Sequence, residues 1–295
     1  MPTFEPFLRE NMDAMMYGAF FGTLIVFALL ELRLARAEHG AARTRRWPVN
    51  GLLTALNILA LGVIPISGLA AAEWARANGW GALNMVELPL AAVLVAGFLV
   101  RSLVSYAVHV AMHKVPFLWR IHRVHHTDTA LDVSTTVRFH PLEFIVSVPI
   151  VIAAVTAAGV PPWVIMLYEL FDAVMAVFSH ANLRLPGGLE RVLQWGLVTP
   201  DMHRIHHSSA QPETDSNYGA TLSVWDRLFG TYRHKSGPEL AAMELGLSEY
   251  RDKRVSSLFW LLALPFAGRK SEAPAPSDGQ TTPAPLSVGG KSASP

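Results

Sequence analysis

The sequence predicts an all-α integral membrane protein: a helical bundle of about four to five membrane helices, the last two a short hairpin, beneath a histidine-rich helical cap on the cytoplasmic side. Three observations carry this. Hydrophobic residues make up 51% of the 295-residue chain and charged residues 16%, which is too apolar for an ordinary soluble domain. Long runs without charge recur at lengths that suit a bilayer. Ten of the twelve histidines fall between His109 and His207, next to those runs and outside most of their length.

The first apolar run is Ala14–Leu30. The arginines that follow it (Arg33, Arg36, Arg43, Arg45, Arg46) stand on the wrong side for a cleavable signal, which carries its charge before the apolar segment, so a retained helix is expected. The second run, Gly51–Ala72, has no charge over twenty-two residues and is expected to span at about 1.5 Å per residue. The third, Leu88–His113, is interrupted only by Arg101; at about 39 Å its histidine end projects past the lipid. The fourth block, Phe144–Phe178, is broken by Gly159–Pro162 and reads as a hairpin of two short helices. Glu169 and Asp172 turn its second arm toward protein and away from lipid. From Arg269 the chain is polar, Pro-rich and aperiodic, which predicts a disordered tail. The expected divisions are N-terminal membrane helices over 1–86, a catalytic region over 87–235, an amphipathic segment over 236–268 and the tail over 269–295. Because the arginines cluster between the first two runs, that loop and the histidine-rich segments are expected in the cytoplasm.

A formal charge of +1 without a basic, aromatic-lined patch gives no case for nucleic acid. The absence of Cys excludes disulfides, thiolate zinc sites and iron–sulfur clusters within this chain. Any metal must therefore be held by nitrogen or oxygen. His109 and His113 share one helix face, as do His122, His125 and His126, and the frame His-x-x-His-His recurs at His203, His206 and His207. A single pair of this kind is commonly two satisfied core histidines, but imidazoles crowded into one turn repel when charged and waste burial when neutral unless something binds them. With His140 and His180 there are ten candidates, more than one ion can use. Imidazole suits zinc, copper, iron and nickel; two ions with about five nitrogens each suit an octahedral redox metal, iron first, better than tetrahedral zinc.

The segments HVAMH, HRVHH, RFHPLE, HANLRLP, HRIHH, DSNYG and SVWDRLFGTY, in that order, resemble the fatty acid hydroxylase superfamily, which includes sterol desaturases, sterol methyl oxidases and alkylglycerol monooxygenase. The likeness covers roughly 88–233. It implies a membrane di-iron oxidase that uses O2 and two electrons to attack a lipid C–H bond by hydroxylation or desaturation. The iron ligands it implies are His109, His113, His122, His125, His126, His180, His203, His206 and His207. Relatives carry a further histidine four residues before the one matching His180. Here that position is Ala176, and His140 is expected to supply the missing nitrogen.

Metal-bound histidines usually donate their second N–H to a carboxylate or carbonyl, and Asp128, Asp132, Glu143, Asn182, Asp201, Asp215 and Asn217 lie close enough in sequence to serve. Trp225 and Phe229 are expected to pack the cap, with Asp226 paired to Arg227. No nucleotide, flavin or haem motif is present, so electrons come from an external ferredoxin- or cytochrome-type reductase. The other classes weighed are a histidine-rich membrane metal-binding or transport protein, a bis-histidine haem protein and a metal-dependent lipid hydrolase. The first needs polar groups at mid-membrane, the second pairs on facing helices, and the third carboxylates at ligand spacing.

Overall fold

The computed structural model describes residues 2–37 and 43–267. Residues to Pro265 form one compact unit, and a second begins at Phe266. The expected tail lies outside the described residues. The described chain is helical and holds no strands beyond isolated bridges such as Leu197–Leu222 and Ser208–Leu245.

Among the described residues, four helices are long and apolar enough to cross a bilayer: α1 (Glu5–Leu34), α4 (Leu90–Lys114), α6 (Pro141–Ala158) and α7 (Pro162–His180). At about 1.5 Å per residue, α1 reaches about 45 Å and the α6–α7 hairpin arms about 27 Å each. Many apolar side chains on α1, such as Ile25, Val26 and Leu29, are exposed, as expected of a face turned to lipid.

The second apolar run departs from expectation. It does not form one spanning helix but two shorter ones, α2 (Arg43–Gly62) and α3 (Gly68–Ala77), separated around Pro65. Hydropathy missed two things. Pro65 cannot continue a helix, and Asn50 and Asn57 make side-chain bonds to Ser134 Oγ (2.9 Å) and to the carbonyl of Phe139 (3.2 Å). The arginine stretch is not a free loop either. Arg46 opens α2 only 1% exposed and bonds Asp128 and Asp132, beside the histidine cap. At the other end of the bundle, Arg76 of α3 bonds Glu5 of α1 at 2.7 Å.

That far end closes on two glycines. Gly81 (φ 92°) and Gly159 (φ 71°), which caps α6, lie so close that a Cβ on Gly81 would fall 2.3 Å from Gly159 N. Only glycine tolerates both the left-handed backbone and the contact. Leu8, Val155, Val160, Trp163 and Met166 pack the core there.

Helix α7 is the central element, packing against α1, α3, α4 and the later cap helix α9 (Pro200–His206). Its Glu169 accepts from Arg101 of α4 at 3.0 Å, so the polar arm of the hairpin faces protein as expected. At the histidine end, Glu31 of α1 accepts the backbone N–H groups of Val133 and Asn182 at 3.0 and 2.8 Å. These bonds tie the first helix to the two loops that follow the histidine helices.

Candidate metal centre

Helix α4 delivers His109 and His113 from its last two turns. Helix α5 (Pro116–His126) carries His122, His125 and His126, α7 ends on His180, and α9 carries His203 and His206, with His207 just beyond. Pro116 and Pro200 stand in the first turns of α5 and α9, where the missing N–H costs nothing. The hydroxyl of Thr199 caps α9.

Nine of the ten candidate histidines gather into two adjacent groups. His109, His113, His122, His126 and His206 form one; His125, His180, His203 and His207 form the other, and within each group a nitrogen from every ring lies within 4.8 Å of the others. The two His-x-x-His-His frames are not two separate clamps. Each divides its rings between the groups, because on one helical turn the first and last of the frame face one way and the middle histidine another.

The proton positions explain what such a set can hold. His109 Nδ1 lies 2.7 Å from the carbonyl of Tyr218, His206 Nδ1 2.8 Å from that of Ser216, and His180 Nδ1 2.7 Å from that of Ala176. A carbonyl only accepts, so these Nδ1 atoms donate and each neutral ring turns its Nε2 lone pair inward. His122 does the same through Glu143 Oε1 at 2.8 Å. As a result His109 Nε2 faces His122 Nε2 at 3.2 Å, and His180 Nε2 faces those of His125 (3.2 Å) and His203 (3.0 Å). His206 Nε2 is buried without a partner. Lone pairs opposed at that distance repel unless a cation lies between them, so the residues fit metal ions with nitrogen preference. Burial, reinforced by neighbouring imidazoles, holds His125, His126, His203, His206 and His207 well below the ordinary histidine pKa. They are therefore neutral and able to bind metal.

His140 stands outside both groups. Its Nδ1 accepts from the N–H of Leu142, capping α6, and its Nε2 faces the carbonyl of Leu262 at 3.2 Å. The nitrogen expected from it in place of Ala176 is not among those gathered, and the second group holds four nitrogens against five. The FHP turn was legible as a helix start; the proline after His140 makes it a cap.

The polar neighbours sort differently from expectation. Glu143 touches His122, and Asp215 approaches His113 Nδ1 at 3.4 Å while pairing with Lys114. Asp128 and Asp132 bond Arg46 and pair with no histidine among the described residues; burial favours the neutral acid, but Arg46 and Arg138 hold Asp128 down to about 2. Asn182 bonds the backbone of Ala37, and Asp201 pairs with Arg36. Asn217 lies in the left-handed region (φ 50°) and bonds the carbonyls of Met202 and Arg233. It sits between Ser216 and Tyr218, whose carbonyls receive His206 and His109. These carbonyls could not be read from side-chain identity, though DSNYG marks the turn that supplies them. Asp226 does not pair with Arg227. Its carboxylate accepts the N–H groups of Tyr218 (2.7 Å) and Gly219 (2.8 Å) and the hydroxyl of Thr231 (2.7 Å), while Arg227 stacks on Trp195 and Tyr232. Trp225 reaches Ser102 of α4 at 3.0 Å, and Phe139 stacks on His125 with ring centres 4.3 Å apart.

Residues 94–231, which hold the nine clustered histidines, match the family model described as fatty acid hydroxylase. Over these residues the chain belongs to the fatty acid hydroxylase superfamily. It is similar to ornithine lipid hydroxylase of Rhizobium tropici, 29% identical over 187 residues, covering 62% of this chain and 54% of that protein. It is also similar to human alkylglycerol monooxygenase (30% over 128 residues, 43% and 27%) and to a cholesterol 25-hydroxylase-like protein of Danio rerio (32% over 131 residues, 42% and 48%). The chain spans about half or less of the length of these superfamily relatives. No solved structure gives a significant match.

Proposed function

We propose that this protein is a membrane-bound, O2-dependent oxidase that hydroxylates a C–H bond of a lipid, with two non-haem iron ions held by the five- and four-histidine groups. The observation that carries the reading is the pair of adjacent nests of inward-facing imidazole nitrogens at the ends of two apolar helices, α4 and α7. The relatives named as ornithine lipid hydroxylase and alkylglycerol monooxygenase support a lipid substrate.

When bound, the iron pair supplies two-electron activation of dioxygen, with the balance R–H + O2 + 2 e⁻ + 2 H⁺ → R–OH + H2O. The chain's own residues position and shield. The carbonyls of Ser216, Tyr218 and Ala176 and the carboxylate of Glu143 fix four rings by their Nδ1–H groups, which orients the inward nitrogens and raises their basicity. An ion held by His125, His180, His203 and His207 would have one protein nitrogen fewer than an ion held by the other group, which would leave more room for co-substrate on that side. A lipid chain lying along α7, which ends on His180, would be led to the same place. The 295 residues contain no Cys and no flavin or haem motif, which supports an external ferredoxin- or cytochrome-type reductase. A cytoplasmic position of the histidine cap is supported by the arginines from Arg33 to Arg46, at the end of α1, after it and at the start of α2.

The test is lipid mass spectrometry of cells with and without the protein, beside His125→Ala, together with metal analysis of the purified protein. A lipid class that gains 16 mass units only with the intact protein, and two irons per chain, are expected. A loss of 2 would reassign the reaction to desaturation, and zinc with no changed lipid would overturn the oxidase reading.

A further inference from the structure

The cap contains a buried cation without a counter-ion. Arg204 lies on α9 between His203 and His206, is 6% exposed, and has no hydrogen bond or ion pair to its guanidinium among the described residues; its Nε is fully buried and unpartnered. The acids nearest to it among the described residues are paired elsewhere. Asp201 pairs with Arg36, Asp132 with Arg46, and Glu244 with Arg251 at 3.1 Å. A charged group taken out of water without a partner is among the costliest arrangements a fold can keep.

Arg204 lines a cavity of about 210 Å3, whose wall also holds Arg251, Asn182, Thr129, Asp132 and Glu244. The segments that build it follow directly on histidine-bearing elements: the loop after α5, the loop after α7, and α9 itself. None of the residues that line the cavity belongs to the four apolar helices. It offers one guanidinium free to form a bidentate pair, a second that exchanges with an exposed glutamate, and a hydroxyl donor. That chemistry matches an oxyanion of carboxylate or phosphate type.

We propose that this cavity is an anion-binding site in which Arg204 grips a phosphate or carboxylate, carried either by a free small molecule or by a lipid headgroup reaching the cap. It is separate from the metal groups and does not depend on the oxidase reading. Occupancy would hold α9, and with it His203 and His206, in place.

The test uses the full-length, metal-loaded protein in detergent, with melting temperature read against inorganic phosphate, and in nanodiscs of phosphatidylcholine with or without phosphatidylglycerol. Wild type is expected to melt several degrees higher with saturating anion, and Arg204→Gln to bind at least tenfold more weakly. Without anion, Arg204→Gln with intact metal content is expected to melt at or above wild type, because a stranded charge has been removed; a merely structural arginine would give the opposite. Stabilisation by phosphate assigns the site to free anions, and stabilisation by phosphatidylglycerol alone assigns it to headgroups. Glu38, which follows Ala37 of the cavity wall and lies outside the described residues, is controlled by Glu38→Gln. If neither anion stabilises wild type, or if phosphate acts only on Glu38→Gln, the proposal is overturned.

Discussion

Replacing Arg46 by Met tests the ionic joint between α2 and the loop after α5. The guanidinium is 1% exposed, donates to Asp128 and Asp132 at 2.9 Å each, and reaches Thr135 Oγ1 at 3.3 Å. Asp128 and Asp132 are themselves 2% and 1% exposed. Removing the cation strands two carboxylates. Breaking a buried pair in this way costs about 3–5 kcal/mol. A second figure comes from Asp128, whose drop from 3.8 to about 2 corresponds to about 2 kcal/mol for that acid alone. For a chain of this size a loss of about 3–5 kcal/mol lowers the melting temperature by roughly 10 °C. The assay is thermal unfolding of metal-loaded protein in detergent, comparing Arg46→Met with the triple variant that also carries Asp128→Asn and Asp132→Asn. The triple variant should regain part of the loss, because the two carboxylates no longer lack their cation, while Arg138, which also faces Asp128, gives up its counter-charge. If Arg46→Met melts within 2 °C of wild type, the buried-ion argument is wrong. If the triple variant is no better than the single one, the cost lies in packing and not in stranded charge.

Asp226→Ala leaves three donors without an acceptor and should cost about 3–5 kcal/mol, with loss of metal because the Tyr218 carbonyl is released from its place beside His109; Asp226→Asn should cost less, and calorimetry with metal analysis reads both. Glu143→Gln keeps an acceptor for His122 but loses the charge, so metal affinity measured by chelator competition should fall about 10–100-fold. His206→Ala should lower metal content, whereas His140→Ala should leave two ions bound and cost only the α6 cap, about 0.5–2 kcal/mol. Burial pushes Glu190 up to about 7 from 4.5, against a bond from Thr199. Since the folded pKa is raised, its contribution is fully present below about 4.5 and is lost as pH rises through about 7. Glu190→Gln should therefore melt higher than wild type at pH 8, by about 2 kcal/mol, and the gap should close toward pH 5.

The spans and the histidine gathering were legible because they rest on long-wavelength signals: apolar runs of bilayer length, and a residue type concentrated far beyond need. What failed depended on single residues. Gly51–Ala72 counts as apolar, yet Pro65 and the buried Asn50 and Asn57 bend and anchor it. His140 has the identity of a ligand but the backbone position of a helix cap. The division into five and four could not be read, because whether His125 sides with His126 or with His180 depends on how α5 meets α7. Asp128 and Asp132 are near the histidines in sequence and turned away from them in space, toward an arginine that sequence placed in an open loop. The carbonyls of Ser216 and Tyr218 carry no side-chain signature at all.

Because α5 sends His122 and His126 to one group and His125 to the other, and α9 sends His206 one way and His203 with His207 the other, the two nests share their scaffolding. If each nest takes one ion, as proposed, an ion entering either would immobilise a peptide segment that the other also requires, and the entropy of ordering that segment would be lost only once. The second ion would then bind more tightly than the first, by reciprocal coupling through common backbone. Titrating the stripped protein should pass from empty to doubly filled with little of the singly filled species between, and a lone redox-active ion would seldom sit in the cap by itself.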